Sequence, residues 1–243
     1  MMPLCDRRPH VTPTGHLRVF ANREEAGRLL VERLRDTAAD RPLVLAIPRG
    51  GVEVGAALAR GLGADLDVVL SRKLRAPRQP ELAIGAVAED GTVHLNPFAD
   101  AVLGVDKASI AAERTLQLAE IARRRALYRR VRPQADVAGR VAILTDDGLA
   151  TGATMTAALH TVAAAGAREV IVAVPVAATG RLETIRPLCD RIECLLEPED
   201  FWAIGQFYRD FAQVEDDRVV ELLREAEHSR AAEVGVAHTD DPA

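Results

Sequence analysis

Short, continuous apolar runs alternate with amphipathic stretches along most of the chain. "PLVLAI" (42–47) is too short for a helix and is bounded by Pro48 and a glycine pair, which predicts a buried strand. Val52 to Arg60 then reads as a helix, with Val52, Ala56 and Ala59 along one face and Gly61 and Gly63 closing it. "DLDVVLSRK" (65–73) reads as a second strand. "ELAIGAVA" and "TVHLN" flank Glu89-Asp90-Gly91, and Asp-Gly between apolar runs signals a hairpin. Asp106 can cap a long helix to about Arg130, whose small face (Ala108, Ala111, Ala112, Thr115, Ala119, Ala122) suits close packing. "RVAIL", a helix over 154–165, "EVIVAVPV", a short helix after Gly180 and "RIECLL" complete the series.

This alternation predicts an α/β fold, a mainly parallel twisted sheet flanked by helices on both faces. Ligands of such sheets sit beyond the carboxyl ends of the strands. Three loops therefore matter most: "PRGG" (48–51), "SRKLRAPRQP" (71–80) and "TDDGLATGAT" (145–154).

Composition narrows the function. A net charge of −5 argues against broad electrostatic binding of nucleic acid. Cys5, Cys189 and Cys194 form no C-x-x-C pair, and the histidines lack H-E-x-x-H spacing, which argues against a disulfide framework or a zinc site. The longest apolar run, 170–178, is too short to span a bilayer, and the N-terminal residues lack an apolar signal core. A reduced, cytoplasmic setting is expected.

The chemistry concentrates in "TDDGLATGAT". Adjacent carboxylates raise the cost of ionising one another, so a ligand should reward the pair Asp146 and Asp147. Hydroxyl pairs and hydrated divalent cations do so. Ala150, Thr151, Gly152, Ala153 and Thr154 then lead into a helix, and amides at a helix N-terminus bind phosphate where small residues allow close approach. Carboxylates at one end and a phosphate cradle at the other would grip a sugar phosphate lengthwise. The alternative is a solvated turn.

"VAILTDDGLATGATMTAAL" resembles the phosphoribosyl diphosphate (PRPP) motif of type I phosphoribosyltransferases, within a bacterial group carrying "PRGG" and "PELAIGAVAE" segments. The resemblance covers roughly Arg18 to Leu223. It implies that Asp146 and Asp147 hold the ribose 2′- and 3′-hydroxyls and that Ala150–Thr154 hold the 5-phosphate. It assigns Arg49, Gly50 and Gly51 to the pyrophosphate loop, with Pro48–Arg49 as a candidate cis peptide. Arg72 and Lys73 are expected to end the next strand and to contact pyrophosphate, and Arg75 and Arg78 to sit in a flexible lid. Mg²⁺ would be held mainly through PRPP, with Asp146 and Asp147 as further partners.

The aromatic-dense "EPEDFWAIGQFYRDF" (197–211) is similar to the hood of purine-type members, which points to Phe201 and Trp202 as acceptor-binding residues. Ala150 departs from the hypoxanthine type, which has an aspartate there, so the acceptor stays open. One domain is expected over 18–228, with a hood from the terminal segments near 195–215 and flexible tails at 1–17 and 229–243. The expected partners are PRPP and a nitrogen acceptor, with a homodimer as a further expectation. Two other readings compete: an inactive PRPP- or nucleotide-sensing regulator, and another α/β enzyme such as a sugar-phosphate hydrolase. The basic block "RRRALYRRVR" (123–132) is the one feature favouring an RNA-binding regulator, against a solvated helix face.

Overall fold

The computed structural model describes residues 19–96 and 98–237. Its centre is a five-stranded, wholly parallel sheet in the order β2–β1–β6–β7–β8. These strands are β1 (Leu43–Ala46), β2 (Asp65–Val68), β6 (Val141–Thr145), β7 (Glu169–Val176) and β8 (Arg191–Leu196). β1 and β6 are buried throughout, as strands covered on both faces must be. Alternate side chains serve opposite faces. Leu43 and Leu45 pack with Leu144, Met155 and Leu159, while Val44 and Ala46 pack with Leu30, Leu58 and Ile143.

The helices are α1 (Arg23–Leu34), α2 (Gly51–Leu62), α3 (Lys107–Tyr128), α4 (Ala153–Ala164), α5 (Arg181–Ile185) and α6 (Asp216–Ala237). The remaining strands, β3 (Ser71–Ala76), β4 (Gln79–Ala88) and β5 (Val93–Leu95), form a separate antiparallel sheet. The expected hairpin at Glu89-Asp90-Gly91 joins β4 to β5, with Val87 opposite Val93. α4 packs on this small sheet through Ala86, Ala153 and Ala157, and the Ser71 hydroxyl donates to the Thr154 carbonyl at 3.0 Å.

Three expectations need correction, on the second strand, the face of α3 and the C-terminal tail. "DLDVVLSRK" is two strands, because the run leaves the parallel sheet after Val68 and Ser71 pairs with Ala88 instead. Its second half alternates buried and exposed positions, as a one-sided sheet requires. Arg75 and Arg78, expected in a flexible lid, are carried by the β3–β4 hairpin, where Ala76 pairs with Gln79, a placement that leaves that expectation open. The small face of α3 is exposed, and the helix instead buries Gln117, Ile121 and Tyr128. α6 continues past Ser229 to Ala237, so a helix stands where a tail was expected from 229. The tail expected at 1–17, and residues 238–243 of the other, lie outside the described residues.

The basic block is neither a free solvated face nor a cationic patch. Arg123 and Arg124 pair with Glu120 and Asp216, Arg125 with Glu89, Arg129 with Asp67 at 2.6 Å, and Arg132 with Glu227. Asp67 is 1% exposed, so its pairing satisfies a buried charge on β2 and fastens the end of α3 to the sheet. Five of the six arginines of the block are engaged in ion pairs within the molecule, those of Arg123 and Arg125 at its surface.

Candidate active site

The carboxyl ends of β1 and β6 meet under one cleft of about 520 Å³. β6 ends at Thr145, whose carbonyl accepts from the Ile47 amide at 2.9 Å and so ties the two strand ends together. Asp146 and Asp147 follow directly. The Asp147 amide donates to Asp146 Oδ1 at 2.8 Å, and Arg23 Nε donates to Asp147 Oδ2 at 2.9 Å. Each carboxylate thus keeps one oxygen outside these bonds, Oδ2 of Asp146 and Oδ1 of Asp147. Burial, and then the charge of Asp147, hold the Asp146 carboxyl well above the ordinary carboxylate range, against the pull of Lys73. Asp147 is also raised by burial, with Arg23 opposing. Two charges kept close at such cost suit a ligand-binding device better than a turn.

The loop after the pair is fastened to β7. The Leu149 amide donates to the Val176 carbonyl at 2.8 Å, and the Ala178 amide to the Leu149 carbonyl at 2.9 Å. Gly152 caps α4 with φ 76°, a left-handed conformation that only glycine adopts without strain. Ala153 begins the helix, and Thr154 lies in its first turn. The amides of that turn have no intrahelical acceptor, so Ala150 to Thr154 present an anion site at the mouth of the cleft.

On the facing side the Pro48–Arg49 peptide is cis, as the resemblance implied. Gly50 and Gly51 open α2, but not for conformational freedom, since Gly50 has ordinary helical angles of φ −59° and ψ −39°. They are needed for room. A Cβ on Gly50 would overlap Asp147 Oδ2, and one on Gly51 would lie 2.8 Å from Asp146 Cα. The glycine pair seats the acidic pair. Arg49 reaches into the cleft and donates to Glu215 Oε2 at 2.9 Å.

Arg72 and Lys73 line the same cleft from β3 of the small sheet, not from the end of a strand of the main one. Arg72 Nε donates to Gln117 Oε1 at 2.5 Å, and Gln117 Nε2 donates to Glu113 Oε1 at 2.8 Å. Glu113 also accepts from Arg75 at 3.0 Å, so a relay of side chains on α3 holds these cations. Burial, followed by the charge of Arg124, lowers the Arg72 pKa. Lys73 is exposed and faces the acidic pair.

Most of the expected residues therefore share one space: Arg49, Gly50, Arg72, Lys73, Asp146, Asp147, Ala150, Thr151, Gly152 and Thr154 all line the cleft. Gly51 and Ala153 stand behind it as the first residues of α2 and α4. Phe201 and Trp202 do not line it. Phe201 packs on Phe207, with ring centroids 5.4 Å apart, and Trp202 is 90% exposed. The hood residue that reaches the cleft is Ile204, whose approach requires Gly148, since a Cβ there would lie 2.9 Å from Ile204 Cγ2.

Arg23 was not foreseen. It is 5% exposed, donates to the Ala212 carbonyl at 2.9 Å and lies 3.8 Å from the Phe211 ring centroid. One signal was available: a cation at the first position of a helix opposes the helix dipole, so Arg23 after the cap Asn22 needs another employment.

No set of three or more His, Cys, Asp or Glu side chains able to hold a metal occurs among the described residues. With Asp146 Oδ1 and Asp147 Oδ2 already accepting, the donor set fits a Mg²⁺ ion that arrives chiefly on the oxygens of a polyphosphate ligand.

Residues 18–212 match the phosphoribosyl transferase domain, and the chain belongs to that family. Two curated Mycobacterium tuberculosis proteins, from strains CDC 1551 and H37Rv and both named "Putative phosphoribosyl transferase", are 42% identical to it over 230 residues. That alignment covers 93% of this chain and 51% of theirs, so the chain spans about half the length of these relatives. The crystal structure of TT1426 from Thermus thermophilus is similar in fold, with a TM-score of 0.72 at 44% identity over 86% of this chain and 99% of that one.

Proposed function

We propose that the protein transfers the 5-phosphoribosyl group of PRPP to a nitrogen acceptor and releases pyrophosphate. The observation that carries this reading is one cleft lined by an acidic pair, a helix N-terminus of small residues and four cations, Arg49, Arg72, Lys73 and Arg75. In this reading Ala150–Thr154 bind the 5-phosphate through backbone amides and the Thr151 and Thr154 hydroxyls. The free oxygens of Asp146 and Asp147 accept from the ribose hydroxyls. Arg49, with Gly50 and Gly51 behind it, Arg72 and Lys73 receive the pyrophosphate.

The chemistry then needs positioning and electrostatics, and no covalent nucleophile. As the bond from C1′ to pyrophosphate lengthens, C1′ becomes cationic and negative charge grows on the leaving oxygen beside Arg49 and Lys73. A nitrogen lone pair closes on C1′ from the opposite face. Mg²⁺ bound with PRPP would add positive charge beside the same phosphates, with Asp146 and Asp147 as its nearest protein partners. Ala150 offers no group to take a proton from the acceptor, which favours an acceptor that is already nucleophilic or loses its proton to solvent. The Ile204 side chain, and not an aromatic ring, would border the acceptor.

The test is pyrophosphate release across a panel of purines, pyrimidines and amide donors. Release only when PRPP and one acceptor are both present is the expected result. PRPP binding with no turnover across the panel would favour the sensing regulator, and absence of PRPP binding would end the reading. No helix of the described residues is long and apolar enough to cross a membrane.

A further inference from the structure

Asp147 is gripped from two sides, by α1 and by the hood. Arg23 Nε holds Oδ2 at 2.9 Å, and the Tyr208 hydroxyl donates to the Asp147 main-chain carbonyl at 2.7 Å. Arg23 is itself fixed at its far end. Its Nη1 donates to the Ala212 carbonyl at 2.9 Å and stands 3.6 Å from Glu53, and its guanidinium lies over the Phe211 ring. Phe211 in turn stacks on Tyr208 at 5.0 Å. Phe20, two residues before the α1 cap Asn22, completes the group by pairing with Tyr208.

We infer that Arg23 is a positioning residue for the ligand's sugar: it sets the plane of the Asp147 carboxylate, so that Oδ1 alone faces the cleft, and thereby decides how well a ribose hydroxyl is read. This rests on the PRPP reading above. The geometry supports orientation over simple stapling. A bond through Nε to one oxygen fixes carboxylate rotation, whereas fastening the hood needs only the Ala212 and Phe211 contacts. Asp146 has no such arginine clamp and is held by its neighbour, through the Asp147 amide and side chain. The acidic pair is thus unequal, and α1 and the hood, 61 residues and more away in the chain, control its second member.

The test compares ribose 5-phosphate with its 2-deoxy and 3-deoxy analogues by calorimetry, in the parent protein and in Arg23→Met and Arg23→Lys. For the parent, removing the hydroxyl that Asp147 holds should weaken binding about ten- to hundredfold, the range of a charged hydrogen bond. Arg23→Met should bind ribose 5-phosphate more weakly by a similar factor and leave binding of that deoxy analogue changed less than about threefold. Arg23→Lys should recover part of the discrimination, and it carries the same comparison if the methionine variant does not fold. Equal weakening of all three ligands, or unchanged discrimination, would make Arg23 a structural staple and overturn the inference while leaving the PRPP reading intact. A parent protein that binds neither ribose 5-phosphate nor PRPP would overturn both.

Discussion

The two sheets supply opposite charges to one cleft, and they hold them by different means. The parallel sheet delivers Asp146 and Asp147 at the end of a fully buried strand, where backbone bonds to β1 and β7 fix the chain on both sides. The antiparallel sheet delivers Arg72 and Lys73 on a strand with one exposed face, steadied by side chains of α3. Burial opposes the charge of the acids, while Lys73 stands exposed to water. On the proposed reading, negative charge falls to cations of the one-sided sheet, and hydroxyls to groups whose position is over-determined. This division yields separate predictions for the two halves.

The largest effect should come from the acidic half. Asp146→Asn with Asp147→Asn should weaken Mg·PRPP binding by about 3–6 kcal/mol, since each carboxylate loses a charged hydrogen bond worth roughly 1.5–3 kcal/mol. Thermal stability should hold, because both carboxyls are raised above their ordinary range and ionising them works against folding. Calorimetry showing parental PRPP affinity would remove the acids from the site. A double variant that unfolds would make them structural.

The cationic half should separate by anchoring. Lys73→Ala should weaken pyrophosphate binding by about 1.5–3 kcal/mol with stability within about 0.5 kcal/mol of the parent, as for other exposed positions. Arg72→Ala should weaken binding similarly and also cost about 1–3 kcal/mol of stability, because Gln117 is 2% exposed and loses its partner. If both variants melt alike, the α3 relay does not anchor the small sheet.

Arg49 bridges the halves, and its partner makes a smaller prediction. In this structure its guanidinium pairs with Glu215, which is 61% exposed. A pyrophosphate must compete with that carboxylate. Glu215→Gln should therefore tighten pyrophosphate binding by up to about 1 kcal/mol, the range of an exposed pair. Arg49→Ala should weaken it and relieve product inhibition. Unchanged affinity in Glu215→Gln would mean that the pair does not persist in solution.

The legibility of this molecule in its sequence follows the same division. The parallel sheet announces itself through runs such as 42–47 and 141–144, because strands covered on both faces need continuous apolar residues. The acid loop was equally legible, since adjacent aspartates before small residues have few other uses. The small sheet was not, because "DLDVVLSRK" reads through without punctuation. Only the change from continuous to alternating apolarity at Ser71 marks the transfer to another sheet. Arg23 was harder to read for a different reason: its partner lies 124 residues away, and the one local signal, a cation at a helix N-terminus, does not name that partner. The hood misled through composition. Aromatic density at 197–211 suggested base stacking, yet Phe207, Tyr208 and Phe211 are occupied by packing with Phe20 and Arg23. The basic block misled likewise, because a run of arginines does not reveal the acids that the fold brings to it.

The smallest prediction concerns the seam between the small sheet and α4. There the His94 ring of β5 stacks on His160 of α4, with centroids 4.1 Å apart and planes within 6°. Burial, and then the neighbouring His160, push the His94 pKa below its ordinary 6.5, while Asp90 pulls the other way. A base whose folded pKa is depressed binds fewer protons folded than unfolded. Its contribution to stability is therefore complete above about 6.5 and is lost as pH falls through the lower folded value. The midpoint of thermal unfolding should fall on acidification from pH 7.5 to 5 in part through this pair. That part should stay below the ~2–4 °C that one kcal/mol produces in a domain of this size. His94→Phe keeps a flat ring against His160 and cannot take a proton, so its melting curve should lose that share of the acid dependence. The acidic pair contributes with the opposite sign, since raised carboxyl pKa values favour the fold at low pH, so the comparison must be made between the two proteins at each pH. An acid slope identical in parent and His94→Phe would show that the seam does not sense protons.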